Sequence, residues 1–128
     1  MFFDSNNAKE TDTHFRCKNG KASFNYRLLF EIDDQRSNYD LTIQLYDRDF
    51  FKQNDILGDA VLNLKKPLED AALTKRPLGM NKKYYSDYMM PPKREEQLAY
   101  KDENTFWVPV KSPNKDTGVL EVNGHVRL

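Results

Sequence analysis

The sequence predicts an all-β domain, an antiparallel β-sandwich. Short runs of apolar residues alternate with polar ones at period two. Turn-forming residues separate those runs at regular spacing. Aromatic residues reach 12% of an otherwise hydrophilic chain, enough for a modest core and too many for a disordered tail.

Each expected strand rests on its own parity. Phe24, Tyr26, Leu28 and Phe30 alternate with Asn25, Arg27, Leu29 and Glu31, which predicts a first strand. Leu41, Ile43 and Leu45 alternate with Thr42, Gln44 and Tyr46 and predict a second. Ala60, Leu62 and Leu64 give a third within Ile56 to Leu64. Phe106, Val108 and Val110 give a fourth, which Pro109 demotes towards a sheet edge because proline has no N–H to donate. Leu120, Val122, Val126 and Leu128 share one parity and predict a fifth, with Gly124 as a candidate bulge. Lys18-Asn19-Gly20-Lys21, Asp33 to Asn38 and Ser112 to Gly118 supply the turns.

The chain is expected to form a single domain over residues 1–128, with an insertion at 67–104 before the last two strands. The insertion holds Pro67, Pro77, Pro91 and Pro92 and lacks sustained alternation. It is expected to be irregular, with short helical turns near Leu68 to Leu73 and Lys93 to Lys101. From Lys65 to Arg94 there are eight basic residues (Lys65, Lys66, Lys75, Arg76, Lys82, Lys83, Lys93, Arg94) against three acidic ones. A long basic loop is either a solvated insertion or a surface for anionic lipid head groups or a partner protein.

Composition excludes several classes. Lys and Arg number 20 and so do Asp and Glu, so no global field draws the chain to nucleic acid. No apolar stretch is long enough for a transmembrane helix, and Met1-Phe2-Phe3-Asp4 lacks the pattern of a signal peptide. Cys17 is the single cysteine, which rules out a disulfide framework. His14, Cys17 and His125 are one ligand short of a closed zinc site. His14 and His125 read as surface or structural residues, Cys17 as an inert thiol and Trp107 as a packing anchor. Neither a phosphate-cradling glycine loop nor a paired nucleophile and base is present, so no enzyme is expected.

The chemistry concentrates between Tyr46 and Gly58. Asp47 and Asp49 lie two apart and share a side of an extended chain. Asp55 returns at the start of the next strand, so three carboxylates converge on one loop mouth. A hard cation such as Ca²⁺, with oxygen ligands at ~2.3–2.6 Å, relieves their repulsion. The loop is no EF-hand: counting from Asp47, Phe51, Lys52 and Gly58 stand where that loop needs an oxygen ligand, Gly and Glu. Asp and Asn are also ordinary turn formers, and Asp49 has Arg48 and Lys52 as neighbours.

The spacing Asp47, Asp49, Asn54, Asp55, Ile56, Leu57, Gly58 resembles the third calcium-binding loop of a C2 domain. Phe106-Trp107-Val108-Pro109, followed by Gly118 before the last strand, is similar to the close of that domain. Within the superfamily the chain most resembles a C-terminal-type ferlin C2 domain. The carrying residues are Thr11-Asp12-Thr13-His14-Phe15-Arg16, Gly20, Ser23 to Phe30 and Leu41 to Asp47, with Tyr26 and Tyr46 where the family often has Trp.

The resemblance implies a Greek-key β-sandwich that is N-terminally incomplete, since two strands and the first calcium loop would precede this sequence. It implies Ca²⁺ held by Asp47, Asp49, Asp55, the Arg48 carbonyl and Asn54, fewer oxygens than the ~6–8 that Ca²⁺ takes. It also implies that Phe50 and Phe51, with Arg48 and Lys52, enter an anionic phospholipid membrane. Buried Phe contributes ~1.5–3 kcal/mol and a flanking cation ~1 kcal/mol. The expected role is then calcium-dependent membrane binding in vesicle fusion or membrane repair, at the cytoplasmic face of a membrane. The alternative is a calcium-independent interaction module, completed by a partner strand or by another domain of a larger parent.

Overall fold

Four of the five expected strands form, and they make one antiparallel sheet. A computed structural model describes residues 1–3, 8–13, 21–32, 38–47, 55–79, 82–88, 90–97 and 105–128. In chain order these hold β1 (Asp40–Asp47), β2 (Asp55–Asn63), α1 (Lys65–Thr74), α2 (Lys82–Tyr85), a 3-10 turn (Ser86–Tyr88), α3 (Arg94–Gln97), β3 (Trp107–Pro113) and β4 (Leu120–Arg127). The sheet order is β1-β2-β3-β4, a meander. The architecture is antiparallel and mostly β, consistent with a C2 β-sandwich.

Period-two parity sorts the two faces. Leu41, Ile43, Ala60, Leu62, Val108 and Val110 are buried on the inner face. Phe3, Leu64, Tyr85 and Phe106 cover them and complete the core. The cover comes from both flanking segments. Phe2 forms an isolated bridge to Thr42, with backbone bonds of 2.8 Å in each direction, which seats Phe3 edge-on to Phe30 at 5.5 Å.

The segment expected as the first strand is not one. Residues 21–32 hold no regular structure, and Asn25 has φ 45°, which breaks an extended run. Phe24 and Tyr26 are exposed, while Phe30 and Ile32 pack against the core. The alternation is real, but no neighbouring strand pairs with it among the described residues. A ladder, more than parity, makes a strand.

Two other expectations shift. Pro109 lies in β3, which sits between β2 and β4 rather than at an edge. The proline leaves the β2–β3 ladder thin: its registered pair is Asp59 with Lys111. In β4 the bulge falls beside Gly124, because Val110 pairs with Gly124 and Lys111 with Val122. The extra residue flips the parity. Val126 stays inward opposite Val108, whereas Val122 and Leu120 turn outward and are exposed.

The insertion is helical from Lys65. Pro67 occupies the first turn of α1, where its missing N–H costs nothing, and Ala71, Ala72 and Leu73 favour the helix. Asn63 Oδ1 accepts the Lys65 N–H at 3.1 Å. Lys75, at φ 52°, closes the helix through its N–H to the Ala71 carbonyl. Among the described residues no helix is long and apolar enough to cross a membrane.

Gly58 fixes the approach of β2 to β3. A Cβ there would lie 2.7 Å from Val110 Cγ1 and 3.0 Å from the Lys111 carbonyl oxygen. Gly58→Ala should therefore lower the unfolding free energy by about 1–3 kcal/mol in urea titration. Gly124→Ala, whose added Cβ meets nothing within 4 Å, should change it by less than about 0.5 kcal/mol.

Candidate functional site

The β1–β2 register sets two of the three predicted acidic residues opposite each other. The register pairs Leu41 with Leu62, Ile43 with Ala60 and Leu45 with Gly58. It then shifts by one residue, so Tyr46 pairs with Ile56 and Asp47 with Asp55. Leu57 is the unpaired residue of this bulge. Such bulges re-aim the strand end that follows them.

Asp47 and Asp55 are thus direct cross-strand partners at the last rung of the ladder, one on each side of loop 48–54. Cross-strand partners sit about 4.5–5.5 Å apart at Cβ, and like charges so placed destabilise the pair. The Asp47 side chain is exposed to solvent. The remaining predicted ligands and membrane contacts, Arg48, Asp49, Phe50, Phe51, Lys52 and Asn54, lie outside the described residues. Among the described residues, no group of three or more His, Cys, Asp and Glu is placed to hold a metal ion.

The predicted basic residues distribute along the insertion. Lys65 and Lys66 open α1, Lys75 and Arg76 follow its end, and Arg94 begins α3 just after Lys93. All six are exposed. Lys66 Nζ lies 3.3 Å from Asp70 Oδ1, an i,i+4 pair. Lys82 and Lys83 belong to α2.

Tyr84 ties α2 to α1, and Tyr85 holds α2 onto the sheet. The Tyr84 hydroxyl donates to Asp70 Oδ2 at 2.7 Å, and the Tyr85 hydroxyl donates to the Asn63 carbonyl at 2.8 Å. The Tyr85 ring packs 5.1 Å from Phe106 and stacks on Tyr88 at 6.5 Å. Burial, with the neighbouring Tyr84 adding to it, pushes the Tyr85 pKa up to about 12. The hydrogen bond to Asp70 raises that of Tyr84.

Sequence reasoning missed two features of the sheet's outer face. Asp59 Oδ1 and Trp107 Nε1 are buried with no hydrogen-bond partner among the described residues, although parity alone assigns both residues to the polar side. Arg127 stacks over the Trp107 ring at 5.6 Å and helps to bury it. Leu120 and Val122 stand outward because of the β4 bulge. The signal for that was Gly124, which marks a bulge but not its effect on parity.

Comparison with known proteins adds the family context. The family model for C2 domains matches residues 1–79, more than half of the chain. The chain is also 39% identical over 61 residues to Ferlin 2 of Tetrahymena thermophila. That alignment covers 48% of this chain and 4% of the relative, so the chain spans a small part of that protein's length. No solved structure matches.

The facing aspartates make a direct prediction. With calcium chelated, Asp47→Asn should raise the unfolding free energy by about 0.2–1 kcal/mol, because one of two opposed charges is removed. Unchanged or lower stability in a chelator-buffered urea titration contradicts the register.

Proposed function

The chain belongs to the C2-domain family and is of the ferlin type, and on that premise we propose that it is a calcium-dependent phospholipid-binding module. The observation that carries this reading is the register of Asp47 against Asp55 at the mouth of loop 48–54. A ladder that ends on two opposed carboxylates is disfavoured in isolation and relieved by a divalent cation. Asp47, Asp49 and Asp55, with the Arg48 carbonyl and Asn54, hold Ca²⁺. The remaining oxygens come from water and lipid phosphate, since Ca²⁺ takes about 6–8.

Bound calcium supplies positive charge where the free loop is acidic, and it bridges that loop to anionic head groups. Phe50 and Phe51 then enter the interface, with Arg48 and Lys52 at the head-group level. The exposed Lys65, Lys66, Lys75, Arg76, Lys93 and Arg94, together with Lys82 and Lys83, add long-range attraction to anionic lipid. The module binds and does no chemistry of its own. Its likeness to a ferlin supports a place at the cytoplasmic face of a membrane, in vesicle fusion or membrane repair.

A second reading is favoured by one feature. Among the described residues β4 pairs on one side only, which leaves a strand edge for a partner strand or a neighbouring domain of a larger parent. On that reading the module acts without calcium.

Sedimentation with phosphatidylserine-containing vesicles separates the two. Calcium should raise binding at least about tenfold over chelator, and Asp47→Asn with Asp49→Asn should remove that increment. Calcium-dependent binding that survives the double substitution overturns the first reading. Binding that is equal with chelator and calcium favours the second.

A further inference from the structure

From the strand directions and the exposed apolar side chains, we propose that the β3–β4 hairpin is a second bilayer-contacting element. It acts beside the acidic loop, through Val119, Leu120 and Val122. The inference rests on the membrane-binding reading above and extends it to residues that reading does not use.

The placement follows from topology. β1 and β3 run towards one end of the sheet, and β2 and β4 run away from it. Loop 48–54 and residues 114–119 therefore share that end. The second loop is well built. Asn114 Oδ1 accepts the Asp116 N–H at 2.8 Å, the Asn114 N–H bonds the Val119 carbonyl at 2.8 Å, and Gly118 takes φ 70° to close the turn. Val119 and Leu120 are thus presented by a hydrogen-bonded scaffold.

The chemistry of this end differs from the rest of the surface. Among the described residues, thirteen large apolar side chains are exposed, and six of them lie at or near it. They are Tyr46, Ile56 and Leu57 on the β1–β2 side and Val119, Leu120 and Val122 on the β3–β4 side, each more than half exposed. The two bulges, one at Leu57 and one beside Gly124, turn Ile56, Leu120 and Val122 outward, while Tyr46 lies on the outer parity of β1 and Val119 in the turn before β4. Both registers would otherwise keep their parity.

A bilayer is the occupant that fits. The six residues lie at the end of the sheet where β1 ends and β2 begins, the end that also carries Asp47 and Asp55, so a surface that meets this end meets both. Lys111 and Lys115 are exposed beside the β3–β4 apolar residues, where head-group phosphates would lie. Glu121 is tied to Asn114 at 2.8 Å. Asp47 and Asp55 oppose an anionic surface until a cation neutralises them. Calcium thus admits the hairpin to the bilayer without contacting it.

The test uses the full chain and vesicles of phosphatidylcholine with phosphatidylserine. Leu120→Thr with Val122→Thr places β-branched, strand-favouring residues at exposed strand positions, so the sheet is retained. In calcium this variant should partition about tenfold or more weakly than wild type. The shift in Tm that calcium produces should be unchanged. Leu120→Trp, which restores a large interfacial side chain, should bind at least as tightly as wild type. Wild-type binding by the double threonine variant overturns the inference and leaves the calcium-loop reading standing. A variant that loses the calcium-induced Tm shift along with binding also overturns it. Absence of vesicle binding by the wild type overturns both. A wild type that is dimeric in solution, with a monomeric threonine variant, assigns the strip to a second copy instead.

Discussion

The pairing of β1 with β2 is the constraint on which the rest depends. Leu41, Ile43, Ala60 and Leu62 lock its register, because a one-residue slip of either strand would turn that strand's buried pair into water. That locked register brings Asp47 opposite Asp55, after a one-residue bulge at Leu57. Apolar burial thus holds two like charges together. The core supplies the energy that holds this register, and the cation response proposed for this end rests on it. Gly58, which pairs with Leu45 on the other side of the bulge, ties β2 to β3 through its close approach to Val110 and Lys111.

The helical insertion serves the sheet from the other side. Leu64 and Tyr85 join the core, and the Tyr85 hydroxyl satisfies the Asn63 carbonyl where β2 ends. A buried phenol with a met hydroxyl both packs and satisfies a backbone group that would otherwise be orphaned. Lys65, Lys66, Lys75, Arg76, Lys93 and Arg94 stay outside, with Lys66 held by Asp70. Structural and charged roles are thus separated within one stretch: Leu64 and Tyr85 face inward, and those six cations face outward.

Much of the fold was legible because its signals are local. The parity of Leu41 to Leu45, Ala60 to Leu64 and Phe106 to Val110 marks buried faces, and all three runs lie in or beside strands with that face inward. The run from Phe24 to Phe30 carried the same signal and formed no strand. Parity reports which residues want burial, and it cannot report whether a neighbour is there to accept hydrogen bonds. The outward turn of Leu120 and Val122 was illegible for a similar reason, since a bulge is a property of two strands together. At the candidate site the sequence put Asp47 and Asp55 across one loop mouth, and the register has them as partners. Asp49, Asn54 and the two phenylalanines of that loop lie outside the described residues, so their roles rest on the family resemblance and on the chemistry of the side chains.

The central claim is that this rung of the sheet is a cation-responsive end. A calcium titration followed by amide chemical shifts tests it most directly. The account predicts that amides from Tyr46 to Leu57 move with a common midpoint, while those of Leu62, Val108 and Tyr85 hold still. Up to millimolar calcium, an unmoved set from Tyr46 to Leu57, or shifts spread evenly over the chain, would contradict it.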